Sequence, residues 1–271
     1  LTFLKLKRKG MRVAVSVEDH ASALLSWKSI TLVLLTAAVI VVLGTLAGFG
    51  ATTAFDVWSR IDEPRAFAAG ETEALLTARV AISLFAFQLV TILSVFAANA
   101  LFARNGGSFL RFAVPRGGIK TLILATLGLI ALAFIYGGCV FALDRDAFQH
   151  DINPFADLMK ARTWWLVLIA AGIGAPIAEE CLFRGLIFGA LRRTPLGIAG
   201  AAAATALMWA FLHASYSIYG IAAITLIGIY LALVRERTGS LLTPIVCHGV
   251  YNSMIVLILA FAPNSSLVTG S

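Results

Sequence analysis

The sequence predicts an all-α polytopic transmembrane helix bundle of seven spans with a cytoplasmic N-terminus, and three observations carry that prediction. Of the 271 residues, 60% are hydrophobic and only 13% are charged, a balance foreign to soluble domains. The apolar stretches reach the roughly 20 residues needed to cross a hydrocarbon core about 30 Å thick. Basic runs also alternate with acidic ones from one connection to the next. Seven windows result, at about 29–51, 79–103, 119–143, 163–191, 196–214, 216–234 and 241–262. An eighth segment appears if Pro176 splits the fourth window into two helices. Little sequence is left for a soluble domain, so the working unit is the bundle itself.

The first window follows Lys5, Lys7, Arg8, Lys9 and Arg12. Its apolar run exceeds the roughly 7–15 residues of a signal peptide and no small-residue cleavage site follows, so it reads as a retained span. The first methionine is Met11, which makes either that residue or an alternative codon the start. The second and third windows hold no ionisable group deep in their apolar runs and read as scaffold. Residues 1–150 thus form an N-terminal unit of about three spans, and residues 151–271 a second membrane-helix unit. The 144–162 connection, with Asn153-Pro154 and mixed charges, suits a short surface helix over the bundle. The small residues at 197–206 let that helix approach a neighbour closely, as a core helix does.

A net charge of +7 raises the possibility of nucleic acid, but the basic residues flank apolar segments, where they set orientation. The N-terminal run, Arg104, Arg111, Arg116, Lys120, Arg192, Arg193, Arg235 and Arg237 mark the cytoplasmic side. Asp56, Asp62, Glu63, Glu71 and Glu73, then Asp144, Asp146, Asp151 and Asp157, mark the other. The expected partner on this evidence is the lipid bilayer, with no nucleic acid. Cys139, Cys181 and Cys247 fall within spans without metal-ligand spacing and read as small packing residues. Trp164, Trp165, Tyr216 and Tyr219 near span ends suit an interfacial aromatic belt. His20 and His150 lie outside the apolar runs and read as solvated.

The second half differs because Glu179, Glu180, Arg184, His213, His248 and Asn252 interrupt otherwise apolar segments. A charge at the bilayer centre costs at least about 2.5–3.5 kcal/mol, so adjacent glutamates demand partners or a water-filled cavity. Arg184 lies four residues after Glu180, in the favourable order for a helical ion pair. Glu179 points about 100° away and is free for other work. His248 shares a helical face with Asn252. A carboxylate with a histidine can deprotonate water, and a histidine with an amide can stabilise an oxyanion. Glu179, His213 and His248 could equally hold a divalent metal such as zinc. On straight parallel helices His213 would sit about 24 Å from the cytoplasmic end and His248 about 10 Å. Convergence therefore requires tilt, a break near Gly197 or Gly200, or bends at Pro176 and Pro244.

These residues resemble the intramembrane peptidases of the CAAX-protease and bacteriocin-processing (CPBP, or ABI) family. Glu179-Glu180-Cys181-Leu182-Phe183-Arg184, followed by Gly185, is similar to that family's E-E-x-x-x-R motif. Trp209-Ala-Phe-Leu-His213 resembles its F-x-x-x-H motif with Trp in place of Phe. His248-Gly-Val-Tyr-Asn252 resembles its third motif, and residues 235–241 read like the loop before it. The resemblance spans about 163–260. It implies an intramembrane endopeptidase acting on a membrane-associated or lipidated polypeptide in a bacterial-type inner membrane. Glu179 would activate water with His213, His248 and Asn252 would serve the oxyanion, and Glu180 with Arg184 would support them. The family is described both as metallopeptidase and as metal-independent glutamate peptidase. The other readings of the same polar groups are a proton- or cation-coupled transporter and a non-catalytic bacteriocin-immunity protein.

Overall fold

The structure is a computed structural model that describes residues 27–62, 72–103 and 109–261. The N-terminal basic run, His20, Glu63, Glu71, Arg104 and the Asp62 side chain lie outside the described residues. The elements are helices: α1 (Trp27–Asp62), α2 (Thr72–Ala103), α3 (Gly118–Leu143), α4 (Arg145–Met159), α5 (Trp164–Leu191), α6 (Gly197–Phe211), α7 (Ile218–Thr238) and α8 (Leu242–Phe261). Six of them, all but α4 and α6, are long and apolar enough to cross a bilayer. The chain is an all-helical integral membrane protein. The window at 196–214 yields the 15-residue α6, which falls short of a full span. Its apolar run is cut at the His213–Ser217 turn, after which Ser217 caps α7 by accepting from the Gly220 N–H at 3.1 Å.

Lipid-facing side chains on α1 to α3, such as Leu35, Phe49, Leu93 and Ile135, are exposed, while the interior concentrates on α5. Every residue from Glu180 to Leu191 is buried. Around this stretch pack Val33 and Ile40 of α1, Val95 of α2, Leu129 of α3, Leu231 of α7 and Leu241 before α8. The small-residue helix α6 lies against α7, and at the closest point a Cβ on Gly228 would stand 2.8 Å from the Ala206 Cβ and 3.0 Å from its Cα. That crossing leaves no room for a side chain.

The connecting helix α4 lies over the bundle, as its mixed charges predict. Asp144 caps it by accepting from the Ala147 N–H at 3.0 Å. Its apolar face, with Ala156 and Met159, packs on Val167 of α5 and on Val256 and Leu259 of α8. At the opposite end of the bundle, segment 109–117 pairs with the α7–α8 turn through Arg116 N–H to the Thr238 carbonyl (3.0 Å) and Leu241 N–H to the Arg111 carbonyl (2.8 Å).

Gly228→Val should destabilise the protein by about 1–3 kcal/mol through overpacking at the α6–α7 crossing. Gly50→Ala, where nothing lies within 4 Å of the added Cβ, should leave the midpoint unchanged. Thermal unfolding in detergent, followed by circular dichroism, checks both.

Candidate active site

Helix α5 is not uniform, and its departures from α geometry place the polar residues. Over Ala170–Gly174 and Glu180–Ile187 it widens into π-helical turns, with Ala175 N–H bonding the Ala170 carbonyl and Phe188 N–H the Phe183 carbonyl. Single π-helical turns inside α-helices recur at functional sites. Pro176 lies between the two and carries no N–H. The Ala171 carbonyl, five residues earlier, instead receives the Asn252 Nδ2–H of α8 at 2.9 Å. Close approach of the two helices permits this: a Cβ on Gly249 would lie 2.8 Å from the Gly172 carbonyl oxygen.

Glu179 and Glu180 diverge around the helix as their spacing requires. Glu180 is fully buried, and its Oε1 accepts from Arg184 Nη1 at 3.0 Å and from His248 Nδ1–H at 2.9 Å. Arg184 is equally buried, with its guanidinium 4.5 Å from the centroid of the Trp209 ring, a cation–π contact. Glu179 is half-buried and its Oε2 accepts from Trp209 Nε1–H at 2.7 Å. His213 donates from Nδ1 to the Trp209 carbonyl at 3.0 Å. The Trp209 ring stands edge-on to both His213 (5.5 Å) and His248 (5.4 Å). Because each histidine spends Nδ1 on an oxygen acceptor, Nε2 is the nitrogen left for chemistry in both.

Two networks therefore meet at one indole. Glu180, Arg184 and His248 form the buried one, and Glu179, Trp209 and His213 the accessible one. Glu179, Trp209, His213, His248 and Asn252 line one cavity of about 490 Å³. Its walls also include Phe87 and Gln88 of α2 and Tyr136 of α3. The N-terminal helices thus contribute to the site's surface as well as to its support.

Sequence reasoning treats Trp209 as a tolerated aromatic exchange, whereas the structure gives its N–H a direct bond to Glu179. The signal was an indole donor one helical turn before the motif histidine. Tyr216 and Tyr219, expected in an interfacial belt, line the cavity instead. Tyr216 contacts the His213 ring at 5.8 Å, and burial, with Asp151 near it, holds its hydroxyl above the ordinary phenol range. The exposed His150 bonds the Ser215 carbonyl at 3.2 Å through Nε2. Its neighbour Asp151 accepts from the Ser217 N–H and hydroxyl, both at 2.7 Å, and so ties α4 to the turn that carries His213. Gly220 makes that approach possible, since a Cβ there would meet Asp151 Oδ2 at 2.4 Å.

The cysteines are free, with Cys181 and Cys247 buried among apolar side chains. A catalytic zinc needs three protein ligands, and among the described residues no three His, Cys, Asp or Glu side chains are grouped to hold a metal. Glu179, His213 and His248, the candidates the sequence offers should a metal bind, all line the one cavity.

No curated protein and no solved structure matches the chain. A family model does match residues 161–254, and its description is type II CAAX prenyl endopeptidase, Rce1-like. The matched segment runs from the start of α5 to α8 and contains all three motifs and every residue of the two networks. Over that segment the chain is similar to this endopeptidase family, in agreement with the CPBP-type resemblance of its motifs.

Proposed function

We propose that this chain is an intramembrane endopeptidase that hydrolyses a peptide bond of a membrane-associated polypeptide, in a bacterial-type inner membrane, with Glu179 as general base. The observation that carries the reading is Glu179 itself. It is a carboxylate inside a membrane bundle, set in a cavity wall, with one oxygen held by Trp209 and the other without a protein partner among the described residues. Such a group can accept a proton from water placed against a scissile carbonyl.

The remaining residues take roles that follow from their bonds. Water adds to the carbonyl carbon as Glu179 takes its proton. The oxyanion accepts the Asn252 Nδ2 hydrogen not used on Ala171, together with His248 Nε2–H when that ring carries its second proton. His213 lines the same cavity, and its ring, held by the Nδ1 bond to the Trp209 carbonyl, orients the attacking water beside Glu179. As the tetrahedral intermediate collapses, the C–N bond breaks and the amine leaves with the proton first taken by Glu179. Glu180 and Arg184 are positioning residues, holding His248 and the face of Trp209. Residues 151–271 supply all these groups, while residues 1–150 supply wall and scaffold.

The test is cleavage of a peptide and lipopeptide library by the purified protein in detergent. Wild type should generate new termini. Glu179→Gln should lose at least about 100-fold, the usual scale for general-base catalysis, with its unfolding midpoint retained. Equal cleavage by the two proteins would remove Glu179 from the mechanism. A chelator should leave the wild-type rate unchanged; loss with recovery on adding zinc would transfer the water's activation to a metal.

Trp209→Phe keeps the ring face for Arg184 but removes the N–H to Glu179. It should lower kcat about 10-fold, equivalent to about 1.4 kcal/mol, with little change in stability. Arg184→Met, by contrast, leaves Glu180 buried without its cation. A loss of about 3–5 kcal/mol is expected, read as failure to accumulate or a sharply lowered midpoint, and Glu180→Gln in the same chain should recover part of it.

A further inference from the structure

The cavity's position along the helices bears on which side of the membrane supplies the substrate, an inference that rests on the peptidase reading. One end of the bundle gathers Lys28, Arg111, Arg116, Lys120, Arg192, Arg193, Arg235 and Arg237. The sequence attaches Lys5, Lys7, Arg8, Lys9, Arg12 and Arg104 to the same helix ends. The other end has Arg60, Arg79, Arg145, Lys160 and Arg162, of which Arg79 is paired with Asp56 and Lys160 with Asp157. The Lys and Arg excess assigns the first end to the cytoplasm.

On α8 the lining begins at His248, about 9 Å from that end, but on the other helices the cavity lies farther away. On α3 the lining stretch, 132–140, begins about 21 Å above the helix's basic end, and on α7 the stretch 219–227 stops about 17 Å above it, at 1.5 Å per residue. Its far boundary is α4, through Phe148, Asp151, Ile152 and Phe155. Between the cavity and the basic face stands the most tightly packed part of the molecule. Leu182, Leu186, Ile187, Phe188, Leu231 and Leu241 are each 0–1% exposed, and the Glu180–Arg184 pair is buried among them. A polypeptide arriving from the basic side would have to open that core. On the other side the cavity is bounded by α4, with the polar Asp151 and the Tyr216–Tyr219 turn among its lining residues.

We infer that the catalytic cavity is supplied from the extracytoplasmic side beneath α4, so that the substrate is a membrane-anchored or exported polypeptide whose scissile segment lies in the outer half of the bilayer. Access then runs past α4, with Asp151 and Ser217 joining that helix to the His213 turn. The basic face serves for orientation and for contact with the inner leaflet.

Cysteine accessibility tests this without requiring activity, so its failure is separable from failure of the peptidase reading. In a Cys139→Ala background that keeps the buried Cys181 and Cys247, single cysteines are placed on α4 (Asp157→Cys), in the cavity wall (Ala223→Cys) and on the basic face (Lys120→Cys). A membrane-impermeant thiol reagent is applied to right-side-out and to inverted vesicles. Asp157→Cys and Ala223→Cys should react in right-side-out vesicles, and Lys120→Cys in inverted ones. Reaction of Asp157→Cys from the inverted side overturns the orientation. Reaction of Ala223→Cys only from the inverted side, or from neither, overturns the outer route even if the orientation stands. Protein that fails to accumulate with Ala223→Cys is replaced by Tyr219→Cys, another cavity-lining position at the same margin, judged by the same outcomes.

Discussion

Burying a carboxylate and a guanidinium together in the middle of a membrane helix costs several kcal/mol per ion unless geometry and hydrogen bonding offset it. Glu180 and Arg184 are both 0% exposed, and much of the surrounding architecture answers to that requirement. Their 3.0 Å contact supplies the Coulombic attraction. His248 adds a second donor to the same carboxylate oxygen, and the Trp209 ring takes the face of the guanidinium. Three helices, α5, α6 and α8, are thereby fixed against one another by groups that cannot be withdrawn singly. Close packing at Gly228 brings α7 to the same point, its would-be Cβ only 3.1 Å from Arg184 Nη2.

The neighbouring glutamate gains its freedom from this arrangement. With Glu180 Oε1 bonded inside the bundle to Arg184 and His248, Glu179 faces the cavity, and the indole that covers Arg184 also donates to it. One side chain, Trp209, thus connects a structural ion pair to a candidate base. Pro176 acts in a comparable way on the other side. By lacking an N–H it leaves the Ala171 carbonyl to Asn252, which draws α8 and its His248 toward the widened part of α5. The helical irregularities are therefore what bring residues from three helices to one cavity.

Much of this was legible in the sequence. Hydropathy and the charge alternation marked the six long helices and the surface helix α4, and the four-residue spacing from Glu180 to Arg184 foretold the ion pair. The small residues at 197–206 pointed to a closely packed neighbour, which the structure shows to be α7. The length of α6 was not legible, because a hydropathy window runs through His213 to Ser217 without registering that Ser217 starts a new helix. Expected breaks fared differently. Gly197, at φ 59°, stands at the start of α6 and not within it, and Pro244 occupies the first turn of α8, where proline is tolerated. Pro176 does mark the departure from α geometry. The bond from Trp209 to Glu179 depends on the relative rotation of two helices, and no one-dimensional pattern encodes that.

A buried ion pair with packed apolar residues toward the basic end of the bundle and an accessible carboxylate facing the cavity is an arrangement suited to bringing water to a peptide bond. Hydrolysis at this cavity would place solvent oxygen in the new carboxyl terminus, so product analysis in ¹⁸O-labelled water reads it: purified protein is incubated with membrane peptides and the fragments are read by mass spectrometry. New carboxyl termini carrying ¹⁸O are predicted. Intact peptides under all conditions, in protein that moves protons or cations across liposomes, would contradict the account and assign the same buried groups to transport.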